Sequence, residues 1–167
     1  MRRHVLLLPA LFAVFVSACG FQLRGAYTLP FDTLYIAQPE ISELRAVLKR
    51  NIEASTQTRV VNEAKAAQAT LTVLADAPAK KIMSLNSAGR VREYQLERTF
   101  VFRVTDAKDK EIIAPSTIRI SREMTFDDSA LLSKEGEESL LWRDIQNDLA
   151  QQMLRRLAAA KIKADKE

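Results

Sequence analysis

The sequence predicts an α+β fold: one sheet of about four strands with two helices packed on one face, in the order β-α-β-β-β-α. Three observations carry this. Apolar residues recur at helical spacing in two segments, residues 41–52 and 141–157. Several runs are β-branched and aromatic, the longest alternating over Val91–Thr105. Polar turn clusters at 86–90 and 106–111 separate those runs. A chain of 167 residues with 47% hydrophobic content suffices for one domain with a core, and it shows no internal repeat.

Taken in order, Thr33–Ala37 is a short strand and the residues before it a lead-in, with Pro30 limiting regular structure. After Pro39, Ile41, Leu44, Val47, Leu48 and Ile52 form the stripe of an amphipathic helix. Glu40 and Glu43 near its start, with Lys49 and Arg50 towards its end, suit the helix dipole. Ala69–Asp76 reads as a strand, and extended character resumes after Pro78 at Lys80–Leu85. Asn86–Arg90 is a turn in which Gly89 is free to take positive φ. In the following strand Tyr94, Leu96, Phe100, Phe102 and Val104 share one face, interrupted by Arg98. Asp106–Glu111 is a hairpin loop. Beyond Pro115, Ile118, Ile120, Met124 and Phe126 face one way and Arg119, Ser121, Glu123 and Thr125 the other. Asp127–Ser139 is a polar connector. The last helix starts near Glu137 and repeats Leu141, Ile145, Leu149, Met153 and Leu157 every four residues. The charged tail from Lys161 is expected to fray.

The N-terminus has the layout of an export signal. Arg2 and Arg3 precede an apolar run, Val5–Val16, which is shorter than the ~20 residues that span a bilayer. Val16-Ser17-Ala18-Cys19 resembles the bacterial lipobox, whose cysteine thiol accepts a diacylglyceryl group before cleavage ahead of it. Residues 1–18 are then a removable signal, 19–32 a lipidated lead-in, 33–160 one domain and 161–167 a polar tail. Two or three acyl chains anchor stably where one does not. Gly20, rather than Asp, after the cysteine favours the outer membrane by analogy with lipoprotein sorting.

Several function classes drop out. The formal net charge of +4 is too mild for a dedicated nucleic-acid binder. The single histidine, His4, lies in the signal, and Cys19 is the single cysteine. A lipidated mature chain therefore has no histidine and no thiol for nucleophilic catalysis or a His/Cys metal site. No phosphate-binding glycine motif is present. The expectation is no enzyme, no metal and no cofactor beyond the covalent lipid on Cys19. Readings weighed against this one are a lipid-anchored carrier of a small apolar ligand and a Ser-Lys hydrolase.

Two stretches carry a family resemblance. Cys19-Gly20-Phe21-Gln22-Leu23-Arg24-Gly25 resembles the start of mature LPS-assembly lipoproteins of the LptE family, where Cys-Gly precedes an aromatic residue and a Leu-Arg pair. Gly89–Val104 is similar to the family's Gly-containing turn and following strand, here Glu93-Tyr94-Gln95-Leu96. The element order and the long final helix agree as well. The resemblance implies a plug inside the outer-membrane β-barrel LptD, tethered to the inner leaflet by its lipid. Such a plug helps the barrel assemble and assists insertion of lipopolysaccharide, which it contacts directly. Lipopolysaccharide carries phosphates, so the implied contacts are basic: Arg90 and Arg92 beside the turn, Lys80 and Lys81 on the strand before it, and Lys134 at the family's loop position ahead of the last helix. Ser87 stands where the family's turn has a basic residue.

Overall fold

The computed structural model describes residues 27–160. The signal at 1–18, Cys19, the motif Phe21–Arg24 and the tail from Lys161 lie outside the described residues. The elements are β1 (Thr33–Ala37), α1 (Glu43–Ser55), β2 (Arg59–Val61), β3 (Ala69–Leu85), β4 (Val91–Asp106), β5 (Glu111–Thr125) and α2 (Leu131–Ala159). Short 3₁₀ turns at Ala64–Ala66 and Asp128–Ala130 precede β3 and α2. The fold is α+β as expected, and the sheet gains a fifth strand, with order β2-β1-β3-β4-β5. β1 runs parallel to both β2 and β3, and β3-β4-β5 is an antiparallel meander.

The differences from the sequence reading have physical causes. The added strand, β2, has three residues, too few to show a period. β3 continues through Pro78 because β1 pairs only with Ala69–Thr72; beyond that, β3 is an edge, where proline is tolerated. β5 likewise starts at Glu111, ahead of Pro115, on the opposite edge. Helix α2 begins at Leu131 rather than near Glu137, because Gly136 and its charged neighbours resemble a loop in sequence but are helical. Ile41, assigned to the α1 stripe, is fully exposed: Ser42 caps the helix by accepting a hydrogen bond from the Arg45 amide, which leaves Ile41 outside it.

Both helices pack on one sheet face around a single apolar core. β1 contributes Leu34 and Ile36; β3 to β5 contribute Leu71, Leu96, Phe100, Phe102, Ile118 and Ile120. From α1 come Leu48 and Ile52, and from α2 Ile145, Leu149, Met153 and Leu157. Part of the lead-in joins them. Leu29 and Phe31 are buried, and the Tyr27 amide donates to the Ser55 carbonyl at 2.7 Å. The chain thus enters the fold at the end of the sheet where α1 finishes. We call this end the base. The β3–β4 turn is the distal end, and 17 residues of β3 span roughly 50 Å between them.

Two hairpin turns of the same design close the meander. At the distal end Asn86 Oδ1 accepts from the amides of Ala88 and Arg90, and the Gly89 amide donates to the Asn86 carbonyl. At the base Asp106 Oδ1 accepts from Lys108 and Lys110, and Asp109 donates to the Asp106 carbonyl. The fourth residue is left-handed in each, Gly89 at φ 74° and Asp109 at φ 60°.

Candidate functional site

Three of the five basic residues singled out in the sequence meet at the distal end. The turn fixes Arg90 at the start of β4, where its guanidinium lies 4.0 Å from Asp128 in the 3₁₀ turn ahead of α2. Arg92 follows on the strand; its carbonyl accepts from the Phe126 amide at 2.7 Å. Lys134, in the first turn of α2, donates to Thr125 Oγ1 at 3.1 Å and to Glu137 at 2.8 Å. Asp127 accepts from the backbone and hydroxyl of Ser129. Those bonds, helped by the charges of Arg90 and Lys134, hold its carboxyl below the ordinary aspartate range. A surface pocket of about 210 Å³ runs between Asn86, Arg90, Arg92, Phe126 and Asp127.

Lys80 and Lys81 lie farther down β3, and the strand's period of two sends them to opposite faces. Lys80 points to the helix side, 2.6 Å from Glu138 and 4.2 Å above the centre of the Tyr94 ring. Lys81 points to the open face, 2.8 Å from Glu97. That hydrogen bond is the main reason the Glu97 carboxyl titrates below its usual range. The structure therefore gathers Arg90, Arg92 and Lys134, sets Lys80 beside α2 and separates Lys81 from the rest. Among the described residues only Arg92 of the five has no ion pair.

Other charges escaped the sequence reading as site residues. Arg98 sits in the apolar phase of β4 and forms a two-pronged pair with Asp76 of β3, both bonds at 2.7 Å. Arg122 sits in the same phase of β5 and reaches Asp144 and Asp148 on successive turns of α2, at 2.7 and 3.2 Å. The Asp144 hydrogen bond leads in raising the Arg122 pKa. Alongside lies a cleft of about 690 Å³ between α2 and the sheet, lined by Pro78, Arg98, Glu135, Glu138, Trp142 and Arg143 among others. The signal available in the sequence was a charge standing in the inward phase of an alternating strand.

The open face of β3–β5 is hydrophilic. Glu93, Gln95, Glu97 and Thr99 of β4 lie between Ser84 and Lys81 of β3 and Arg119, Ser121, Glu123 and Thr125 of β5. Among the described residues no His, Cys, Asp and Glu side chains group to hold a metal, and no helix is long and apolar enough to cross a membrane.

Fold and surface together define a two-layer α+β domain, with a filled core below and an ionic surface towards one end. A family model described as "LptE: Lipopolysaccharide-assembly" matches residues 31–157. The chain belongs to the LptE family, and its role lies in lipopolysaccharide assembly. It is similar to a protein named LPS-assembly lipoprotein LptE from Pectobacterium atrosepticum, at 26% identity over 94% of this chain and 86% of the relative. A protein of the same name from Yersinia enterocolitica is 28% identical over 100% of this chain and 83% of its own length. Among solved structures, lipoprotein B from Nitrosomonas europaea superposes with a TM-score of 0.73 at 36% identity, covering 84% of this chain and 91% of that one. A minor lipoprotein from Acinetobacter baumannii gives a TM-score of 0.65 at 25% identity, over 81% and 99%.

Proposed function

We propose that this chain is a non-enzymatic outer-membrane lipoprotein. In this reading it is anchored through acyl chains on Cys19, fills the lumen of the LptD β-barrel, helps that barrel assemble and assists lipopolysaccharide into the outer leaflet. The observation that carries the reading is the distribution of polar surface: a sealed core beneath one sheet face, a hydrophilic opposite face, and three cations at the end farthest from where the chain enters. A barrel lumen is polar, and a plug must match it.

Distance supports the orientation. Cys19 precedes Tyr27 by eight residues, a reach of at most about 28 Å. The base is therefore the end near the inner leaflet. The distal end stands roughly 50 Å farther along the sheet, more than the ~30 Å of a hydrocarbon core. Arg90, Arg92 and Lys134 are then the first protein cations that an outer-leaflet phosphate meets, with Lys80 and Lys81 behind them. The 690 Å³ cleft has charged walls, and Phe100, Phe102 and Leu96 fill the space between sheet and helices, an arrangement that suits a plug better than a carrier of apolar ligands.

Mild-detergent extraction of the lipidated protein should recover it with a large barrel protein; recovery only as a free monomer would sink the proposal. Photo-crosslinkers at Ser87 and Leu132 should capture barrel or lipopolysaccharide. The triple variant Arg90→Ala, Arg92→Ala, Lys134→Ala should bind lipopolysaccharide at least about tenfold more weakly, two exposed cations and the half-buried Lys134 each contributing on the order of 0.5–1 kcal/mol.

A further inference from the structure

The two halves of α2 are attached to the sheet by different means. Ile145, Leu149, Ala150, Met153, Leu154 and Leu157 are buried, while no residue from Leu131 to Asp144 is. Leu141 and Trp142 pack only partly against the core. Polar contacts do most of the tying in this first half. Glu138 holds Lys80, Asp144 holds Arg122, and Lys134 reaches Thr125. Just ahead of the helix, Asp128 holds Arg90.

Gly136 lies within this half. A Cβ built there meets nothing within 4 Å, so no close approach requires glycine. Its effect is to weaken the helix at that turn. Beside this stretch runs the 690 Å³ cleft, lined by Glu135 and Glu138 of α2 and by Pro78 of the sheet.

Three cations proposed to meet phosphate thus already have carboxylate neighbours: Lys134 and Lys80 are hydrogen-bonded to Glu137 and Glu138, and Arg90 lies 4.0 Å from Asp128. A phosphate group that takes these cations competes with those carboxylates for the same charge and donors. Ion pairs open to solvent hold weakly, chiefly so at Arg90 and in part at Lys80 and Lys134, and a phosphate offers more charge and more acceptor oxygens than a carboxylate. We infer that residues 128–138 are a latch. Binding of a phosphate-bearing ligand at Arg90, Lys134 and Lys80 frees Asp128, Glu137 and Glu138 and loosens the first turns of α2 up to Gly136. The inference rests on the reading of these cations as ligand contacts and adds how that contact is passed to the helix. Linkage makes the coupling reciprocal, so removing the carboxylates must tighten anion binding.

The test uses the full processed protein and inorganic tripolyphosphate, with sodium chloride at equal ionic strength as the control. Hydrogen exchange reads the amides of 131–138, and Trp142, the single tryptophan of the chain, reads the same region by fluorescence. Tripolyphosphate should speed exchange of these amides at least fivefold and shift Trp142 emission, while chloride does neither. The double variant Asp128→Asn, Glu138→Gln should exchange faster without ligand and bind tripolyphosphate at least threefold more tightly. Gly136→Ala should slow exchange of the same amides about fivefold. Tripolyphosphate binding with unchanged exchange, or a double variant that binds no more tightly, overturns the latch and leaves the contact reading standing. No binding by either protein overturns both.

Discussion

Phe100 and Tyr94 lie on the same face of β4, six residues apart, in two different kinds of structure. Phe100 is fully enclosed, its ring centre 6.0 Å from that of Phe102, with Ile118 paired beside it. Tyr94 is half-buried; its ring meets the edge of Phe126 at 5.2 Å and carries the Lys80 ammonium above it. The sheet, in unbroken register from Phe100 to Tyr94, thus passes from a region held by buried area to one held by directional contacts. Buried area gives stability that no single partner can exchange. Directional ionic contacts contribute little each, and another ion of the same sign can replace them. In this fold the exchangeable contacts sit where a charged ligand is proposed to bind.

The sharpest way to break the comparison is at its lower end. Phe100→Ala should cost about 3–5 kcal/mol in chemical denaturation, whereas Ile82→Ser at the exposed distal edge should change stability by less than about 0.5 kcal/mol. Equal costs at the two positions would dissolve the distinction. Next come the twin turns. Gly89→Ala should cost about 1–2 kcal/mol because its left-handed φ admits no Cβ cheaply, while Asp109→Gly should stabilise by up to about 1 kcal/mol. Smaller again, Arg122→Met removes the ties to Asp144 and Asp148 and should cost no more than about 1 kcal/mol, since Arg122 and Asp148 are 32% exposed and Asp144 58%.

The smallest effect is on acid stability. The Glu97 and Asp127 carboxyls both titrate below their ordinary range, Glu97 through Lys81 and Asp127 through Ser129. Depressed carboxyls stabilise the fold above the unfolded-state value of roughly 4, and the contribution fades as pH falls through the lowered folded-state values. Asp127→Asn and Glu97→Gln should therefore flatten the loss of stability between about pH 5 and 2. Denaturation midpoints across that window check the sign; a steeper loss in either variant contradicts it.

The same contrast explains what could be read in advance. Core residues such as Leu96, Phe102, Ile145 and Met153 are legible because burial imposes a period, two on strands and near four on the helix. The β3–β4 turn was legible because its backbone needs Gly89. The start of α2 was not: residues 131–140 add no side chain to the core, so no stripe marks them, and Gly136 suggests a break where none occurs. β2 is too short to carry a pattern. Apart from Lys134 with Glu137, the partners of the basic residues lie far off in sequence, as in Lys80 with Glu138 and Arg122 with Asp144, and no local spacing records such pairs. The cations themselves were visible, and their occupancy by carboxylates only emerged from the fold.

One edge of the sheet bears on the proposed place of this protein inside a barrel. From Val73 to Leu85, β3 has a neighbour on one side only. Its register slips near Leu74 and Met83, Pro78 lacks an amide hydrogen, and Lys80 and Lys81 follow. Long bare strands recruit other strands, and these are the devices that prevent it. A barrel closes by the same backbone pairing that a bare edge offers. A plug within it must present strands that stay foreign to the wall, and in the proposed role the irregular edge of β3 would keep this domain a guest of the barrel rather than one more stave.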